Sequence, residues 1–362
     1  MLANAGGNPL TSMSKKPSTQ SLTQLVRALK SRRVGVLGDL MLDRYVWGTA
    51  TRLSPEAAVP VVDFVEETSV LGGAGNVAAN LASLGARVEM FGVTGRDDHA
   101  DALHACLRKQ GIASQGVLAD GSRKTTVKTR IIARHQQIVR VDRETRAPLS
   151  GEMQGKLARR VAASLSKLDA LVLSDYDKGV ISDELADRVL QAAHKAEVPV
   201  FVKPKTSRLY AYRGARAIVC NRKEAGFFAT RSLDSDESVE QAGRDLLAKF
   251  GCAAMVITLG EKGMSVFEDD RRDSFFVPAT GHEVTYARIG LPSIEHGATG
   301  RQVFDVTGAG DTVVATLAAG VAAGASMRDA AVLANAAAGV VVGKLGTATC
   351  TPEELLAAVS DL

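Results

Sequence analysis

The string Asp305-Val306-Thr307-Gly308-Ala309-Gly310-Asp311-Thr312 sets a carboxylate directly after two glycines and before the helical apolar pattern Val313, Val314, Leu317, Val321. Two glycines ahead of a helix leave backbone N–H groups pointing outward. The partial positive charge of a helix start suits an anion, such as a phosphate in transfer. Asp311 at that point would stay ionised and accept a proton. An ordinary N-cap Asp after a glycine turn is the structural alternative; the flanking Asp305 and Thr307 make the string longer and more specific.

The second run is Leu71-Gly72-Gly73-Ala74-Gly75-Asn76-Val77-Ala78-Ala79-Asn80-Leu81. Its stretch Gly73 to Ala78 matches the dinucleotide pattern G-x-G-x-x-A, which should follow a buried apolar strand. Here the polar Glu66-Glu67-Thr68-Ser69 precedes it. The favoured reading is a Gly72–Gly73 turn that lets a sugar approach the backbone, with Asn76 bonding hydroxyls; a plain helix start is the third.

Three further groups are open to two readings each. Asn221-Arg222-Lys223-Glu224, just after an apolar run, would order waters around Mg²⁺ and phosphate oxygens, or would simply cap a helix. Thr258-Leu259-Gly260-Glu261-Lys262-Gly263 ends another apolar run and would pass along a nucleotide, or is a bland turn. Lys128, Arg130 and Arg134, with Arg140 nearby, give one basic side of a ribbon. Such a side holds a substrate phosphate through charge-assisted hydrogen bonds, or is a solvated surface.

Several classes are not expected. There is no G-x-x-x-x-G-K-[ST] loop and no H-R-D or D-F-G set, and the six histidines lack metal-ligand spacing. No aromatics interleave with the basic residues, which argues against nucleic acid, and a net charge of +4 is too mild to require it. Cys106, Cys220, Cys252 and Cys350 are scattered, as reduced thiols would be. Residues 1–20 mix Gly, Pro, Ser, Thr and Lys and read as a disordered tail rather than a leader. The apolar stretches 313–324 and 330–343 fall short of the roughly 20 residues of a membrane span and read as buried helices.

The elements that must position these residues follow from periodicity. Short apolar runs at 33–39, 88–93, 170–174, 198–202, 217–220 and 255–259 read as buried strands. Helical patterns at 22–29, 151–166, 182–196 and 238–249 lie among them. That alternation predicts an α/β fold with a doubly wound, mainly parallel central sheet. Ligands in such sheets sit beyond the carboxyl ends of the strands, where Asp39, Asp175, Lys203, Asn221 and Thr258 fall. Residues 46–70 and 125–142 break the rhythm and read as strands of a small β lid, with Thr126, Lys128, Arg130 and Arg134 on one parity.

Read together, these motifs resemble the ribokinase-like (PfkB) carbohydrate kinases. Gly72-Gly73 with Asn76 looks like the family's N-terminal sugar signature, Asp305 to Asp311 like its D-x-x-G-A-G-D signature, and Asn221 to Glu224 like its N-x-x-E motif. The resemblance runs from about Arg33 to the C-terminus. Within the family, Gly38-Asp39-Leu40-Met41-Leu42-Asp43-Arg44-Tyr45, Arg134-His135-Gln136-Gln137, Leu173-Ser174-Asp175-Tyr176-Asp177-Lys178-Gly179 and the run Ala338 to Thr347 are similar to the D-glycero-β-D-manno-heptose 7-phosphate kinases of lipopolysaccharide inner-core synthesis. Many of those are bifunctional, with a C-terminal nucleotidyltransferase; this chain corresponds to the kinase half.

The resemblance implies a kinase domain over 21–362 with a lid from about 44–71 and 122–145. It implies ATP and Mg²⁺, a sugar phosphate acceptor, a cytoplasmic location away from membranes, and a homodimer joined through the lid. Asp311 would be the base and Gly308, Ala309 and Gly310 the anion cradle. Asp39, Asp43, Gly72, Gly73 and Asn76 would hold the sugar, and Lys128, Arg130, Arg134 and Lys178 its phosphate. Lys205, Asn221, Glu224, Thr258, Gly260, Gly263 and Asn335 would serve the nucleotide, with Asn221 and Glu224 reaching the metal through water. The alternatives are a kinase for another sugar or sugar phosphate, an NAD(P)-dependent oxidoreductase using Gly73 to Ala78, and a silent sugar-binding protein, against which Asp311 argues. The chain departs from the family pattern at Lys203, where relatives usually carry Asp, at Asp177, where a small residue is common, and at an insertion near 281–300.

Overall fold

Short runs of Val, Ile, Leu and Ala that are apolar on both faces are satisfied in a parallel sheet covered by helices. The computed structural model describes residues 17–134, 136–205, 212–269, 274–279, 306–344 and 346–362. Residues 1–16, Asp305 and the expected insertion at 281–300 lie outside the described residues. The chain begins α1 (Thr19–Leu29), β1 (Arg33–Gly38), β2 (Leu40–Leu53), β3 (Pro60–Gly73), α2 (Ala74–Ser83), β4 (Arg87–Thr94), α3 (Asp98–Lys109), β5 (Ala113–Ala119). It continues β6 (Thr126–Ala133), β7 (Gln136–Arg143), α4 (Gly151–Ser164), β8 (Ala170–Ser174), α5 (Asp183–Lys195), β9 (Val200–Lys203), β10 (Ala217–Asn221), α6 (Arg222–Ala229) and α7 (Asp236–Phe250). It ends β11 (Ala254–Thr258), β12 (Gly263–Glu268), β13 (Phe275–Pro278), α8 (Ala309–Ala322), α9 (Met327–Val341) and α10 (Pro352–Ser360).

Among the described residues, nine strands form one sheet in the order β13-β12-β11-β10-β9-β8-β1-β4-β5. Pairing is parallel from β11 to β5, and β12 and β13 add an antiparallel edge. The expected α/β class, mainly parallel with a small second sheet, is what the structure shows. All six strands expected from apolar runs are present, and their ends fall within two residues of the expected ones. The edge hairpin β12–β13 was not expected, because a short antiparallel pair leaves little periodicity to read.

From β1 the order runs one way to β4 and β5 and the other way to β8, β9, β10 and β11. The crevice of a doubly wound sheet opens where the order reverses. Asp39 follows β1 and Asp175 follows β8, so this crevice carries two carboxylates.

Alternate residues of each strand feed opposite layers, as the period of two requires. Val34, Val36, Val172, Phe201 and Val219 pack with α2, α8 and α9 on one face. Leu37, Leu171, Leu173, Val202 and Ile218 pack with α4, α5 and α7 on the other. Helix α8 is apolar all round and buried from Asp311 to Gly320, as a central helix must be. Its Gly320 lies against Ala330 of α9, where an added Cβ would meet the alanine Cβ at 3.1 Å.

The second sheet has the order β3-β2-β6-β7. Its long hairpin β2–β3 is rooted in the core: Leu40, Met41, Leu42 and Leu71 are buried, while Leu53, Phe64 and Val65 at the far end are exposed. Its strands extend deeper than the sequence pattern suggested, because their roots are apolar on both faces and do not alternate.

Leu317 of α8 is fully buried. Leu317→Ala should cost about 2–5 kcal/mol through lost burial and the cavity left behind, read as a lower urea midpoint at unchanged slope. A loss below about 1 kcal/mol would mean that α8 is not packed this way.

Candidate active site

Asp311 sits in the first turn of α8 and is 3% exposed. Gly308 caps the helix with φ of 85°, a left-handed conformation that suits glycine. An added Cβ there would come within 2.7 Å of Asn76 Nδ2, so the glycine also makes room for that amide. Asn76 donates from Nδ2 to Asp311 Oδ2 at 2.8 Å. Asn80, one turn along α2, donates to the Asn76 backbone carbonyl at 2.9 Å and accepts from the Thr312 hydroxyl at 2.8 Å. The pair of helix starts is thereby locked face to face.

Two residues without an expected role complete the surroundings of the base. Tyr176, in the loop after β8, donates its hydroxyl to Asp311 Oδ1 at 2.6 Å. Lys203, the last residue of β9, donates Nζ to the same oxygen at 2.6 Å and to the Tyr176 hydroxyl at 2.7 Å. Burial works against the Lys203 charge, but Asp311 and Tyr176 outweigh it and hold the ammonium protonated more firmly than a free lysine. Burial and Asp311 push the Tyr176 phenol up. The sequence marked Lys203 as a departure from the family pattern at the carboxyl end of a strand.

The Asp39 carboxylate is turned to the backbone. It accepts from the N–H groups of Tyr176, Lys178 and Val180 at 2.8, 3.2 and 3.1 Å. These bonds fix the loop that delivers Tyr176. Burial, then the nearby Asp175 charge, pushes Asp39 up to about 6 despite those three donors. Asp175 accepts from the Tyr212 hydroxyl and from the Asp177 N–H. Asp177 is left-handed, with φ of 58°, a conformation that Asp tolerates better than most residues.

Asp43 is buried on β2, where its Oδ1 accepts from Arg130 at 2.6 Å. Gly72 of β3 lies against it: an added Cβ would stand 2.4 Å from Asp43 Oδ2. Gly73 caps α2 with φ of 56°, and the Ala74 N–H bonds the Asp39 carbonyl at 3.0 Å. The G-x-G-x-x-A run thus follows an antiparallel lid strand, not the parallel strand of a dinucleotide fingerprint.

The basic face divides into parts. Arg130 serves Asp43 and lies 5.3 Å over the Tyr45 ring. Lys128 pairs with Asp142 at 2.9 Å and lies 3.8 Å from Glu144, which Lys178 reaches at 2.8 Å. Burial pushes Glu144 up, but Lys178, Arg146 and Lys128 outweigh it and leave it below the usual carboxylate range. Arg134 is not on the ribbon face with Lys128 and Arg130: β6 ends at Ala133, and Arg134 is an exposed turn residue with φ of 49°.

On the nucleotide side, Asn221 and Glu224 form a complete capping box at the start of α6. Glu224 Oε2 accepts from the Asn221 N–H at 3.0 Å, and Oε1 lies 3.7 Å from Lys205. Asn221 is in register with Thr258. Gly260 and Gly263 both have positive φ, and Gly263 is in register with Pro278, whose carbonyl accepts from Asn335 at 2.8 Å. The sequence candidates therefore fall along neighbouring strand ends: sugar candidates around β1 to β3, the base at β8 and β9, nucleotide candidates from β10 to β13.

This fold, with a carboxylate at the start of its central helix, is that of a ribokinase-like sugar kinase. Among solved structures it is similar to Arabidopsis thaliana ribokinase complexed with ribose and ATP, with a TM-score of 0.68 at 19% identity over 91% of this chain and 99% of that one. It is likewise similar to Escherichia coli phosphofructokinase-2 in complex with potassium, with a TM-score of 0.71 at 16% identity over 91% and 98%. Residues 31–354 match the pfkB family carbohydrate kinases, and the chain belongs to that family as an ATP-dependent carbohydrate kinase. The bifunctional protein HldE of Pelobacter propionicus is 41% identical over 341 residues, 94% of this chain and 66% of that protein. That of Geobacter sulfurreducens is 44% identical over 321 residues, 89% and 61%. The chain thus spans less than two thirds of the length of these curated relatives.

Asp39 gives a pH prediction. With its value raised from 3.8 to about 6, the folded state holds a proton between about pH 4 and 6 that the unfolded chain has released. Through this group stability falls as pH rises across that window, by about 3 kcal/mol. Asp39→Asn removes the titration, so its stability deficit against the parent in urea should shrink from pH 4 to pH 7. A deficit independent of pH would contradict a buried charge at Asp39.

Proposed function

We propose that this enzyme transfers the γ-phosphoryl group of ATP to O1 of D-glycero-β-D-manno-heptose 7-phosphate, giving the 1,7-bisphosphate for ADP-heptose and lipopolysaccharide inner-core synthesis. The observation that carries this reading is the pairing of two features on neighbouring elements. A helix-start carboxylate, Asp311, is held by Asn76 at the start of α2, which Gly72 and Gly73 lead into, and a cationic pair, Lys128 on the lid and Lys178 in the loop after β8, meets Glu144. The first suits a sugar hydroxyl and the second a phosphate on the same sugar. The runs similar to heptose 7-phosphate kinases and the identity to proteins named bifunctional HldE support the substrate.

Asp311 takes the proton of the O1 hydroxyl as that oxygen bonds to the γ-phosphorus. The bond from phosphorus to the β,γ-bridging oxygen breaks, and its electron pair leaves with ADP. Asn76 orients the base. Asp43, itself aimed by Arg130, accepts a sugar hydroxyl. Asp39 acts through the backbone, holding the loop that carries Tyr176 and Lys178. The sugar phosphate competes with Glu144 for Lys128 and Lys178, and Arg134 at the turn supplies a further charge.

Gly308, Ala309 and Gly310 form the anion cradle at the positive end of α8. The Ala309 N–H bonds the Val306 carbonyl at 3.3 Å, which leaves Gly310, second in the helix, as the amide facing along its axis. Lys205, Thr258, Gly260, Gly263 and Asn335 line the nucleotide. Among the described residues no three His, Cys, Asp or Glu side chains gather to hold a metal. The donor set at Asn221 and Glu224 fits Mg²⁺ held by phosphate oxygens and water, with Glu224 ordering the water. The ion would neutralise charge on the triphosphate.

Exposed Phe64, Val65, Val139 and Val141 on the lid support a homodimer through that sheet. Among the described residues no helix is long and apolar enough to cross a membrane. Dependence on ATP supports a cytoplasmic location.

Asp311→Asn should lower turnover about 10²–10⁴-fold while ATP binding persists. Near-normal turnover would remove Asp311 from the role of base. Lys128→Ala and Lys178→Ala should each raise KM for the sugar phosphate roughly tenfold and spare unphosphorylated analogues; equal effects on both would remove the cluster from phosphate binding. ATP consumption across a panel of free and phosphorylated sugars, with the product identified by phosphorus NMR, tests the substrate, and preference for another sugar would replace it.

A further inference from the structure

Lys203 pairs with Asp311, and its ammonium also stands at the positive end of a helix. Its Nζ lies 2.6 Å from Asp311 Oδ1, in the first turn of α8, and 4.5 Å from the centre of the Tyr176 ring. Its stem passes beneath the helix start: a Cβ added at Gly310 would meet Lys203 Cε at 3.4 Å. The start of a helix is its positive end, where cations are disfavoured. Two positive features therefore converge on one carboxylate. That carboxylate already accepts from Asn76 and Tyr176, so its lone pairs are largely engaged.

The ammonium has three N–H groups. Among the described residues, Asp311 and Tyr176 are the acceptors it meets, and its side chain remains 18% exposed. One donor is left over, at the mouth of an anion-binding helix and beside the proton acceptor.

We propose that Lys203 is a ligand of the transferred phosphate: it holds Asp311 while the site is empty and gives its remaining N–H to the terminal phosphate of bound nucleotide. The proposal rests on the kinase reading above. It adds a consequence for the reaction. As Asp311 takes the acceptor proton it loses its negative charge, and the ammonium beside it is left facing the phosphoryl group. Lys203 thus contributes most when phosphate is in transit.

The test compares binding of ADP and of the non-hydrolysable ATP analogue AMP-PNP, both with Mg²⁺, by calorimetry. In Lys203→Met the analogue should lose at least tenfold in affinity while ADP stays within about twofold; Lys203→Arg should restore much of the loss, which also guards against a misfolded variant. Equal weakening of both nucleotides, or no weakening of either, overturns the proposal while leaving the kinase reading intact. Parent protein that binds neither nucleotide overturns the kinase reading and this proposal with it.

Discussion

A buried carboxylate is expensive to desolvate unless it is paired and hydrogen-bonded, and this constraint organises the molecule around Asp311. Its partners come from α2, from the loop after β8 and from the end of β9, separated from it in sequence by 235, 135 and 108 residues. The parallel order of β1, β8 and β9 brings the three to one crevice, and the apolar collar of α8 fixes the fourth. Fold and chemistry are therefore one problem: whatever misplaces a strand end also strips a donor from the base.

A second layer of charges acts at longer range. Lys128, Lys178, Arg140 and Arg146 meet Asp142 and Glu144 on and beside the lid. The arginines are exposed and their pairs contribute little to stability, while Lys128, Lys178 and Glu144 are largely covered. The effect of the pairs is to hold the cations in place without leaving them unbalanced.

The sheet was largely legible because its strands are continuous apolar runs and its helices carry caps. Asp311 and its glycines were legible because the local string itself marks a helix start, with Gly308 as its cap. Less was visible where meaning lies between distant segments. Lys203 appeared only as a departure from a pattern, since nothing near it in sequence names Asp311. Tyr176 sat inside a recognised run with no role, for the same reason. Arg134 was counted with the ribbon because alternation in composition does not mark where a strand ends, and β6 stops one residue before it. Asn221 and Glu224 show the opposite limit: their spacing is a complete capping box, and the same spacing supports a water-mediated ion site, so geometry satisfies one reading without removing the other. For Asp39, a carboxylate after a strand was correctly placed in the crevice, but its three backbone bonds depend on a loop 137 to 141 residues away.

The β2–β3 hairpin is anchored at Leu40 and Leu71 and changes register between Trp47 and Gly48. Asp43 and Gly72 lie on the anchored side of that irregularity; the exposed Leu53, Phe64 and Val65 lie beyond it. The hairpin is thus two structures in one: a root whose packing with the core fixes Asp43 against Gly72, and an outer arm whose apolar residues contribute nothing to that contact.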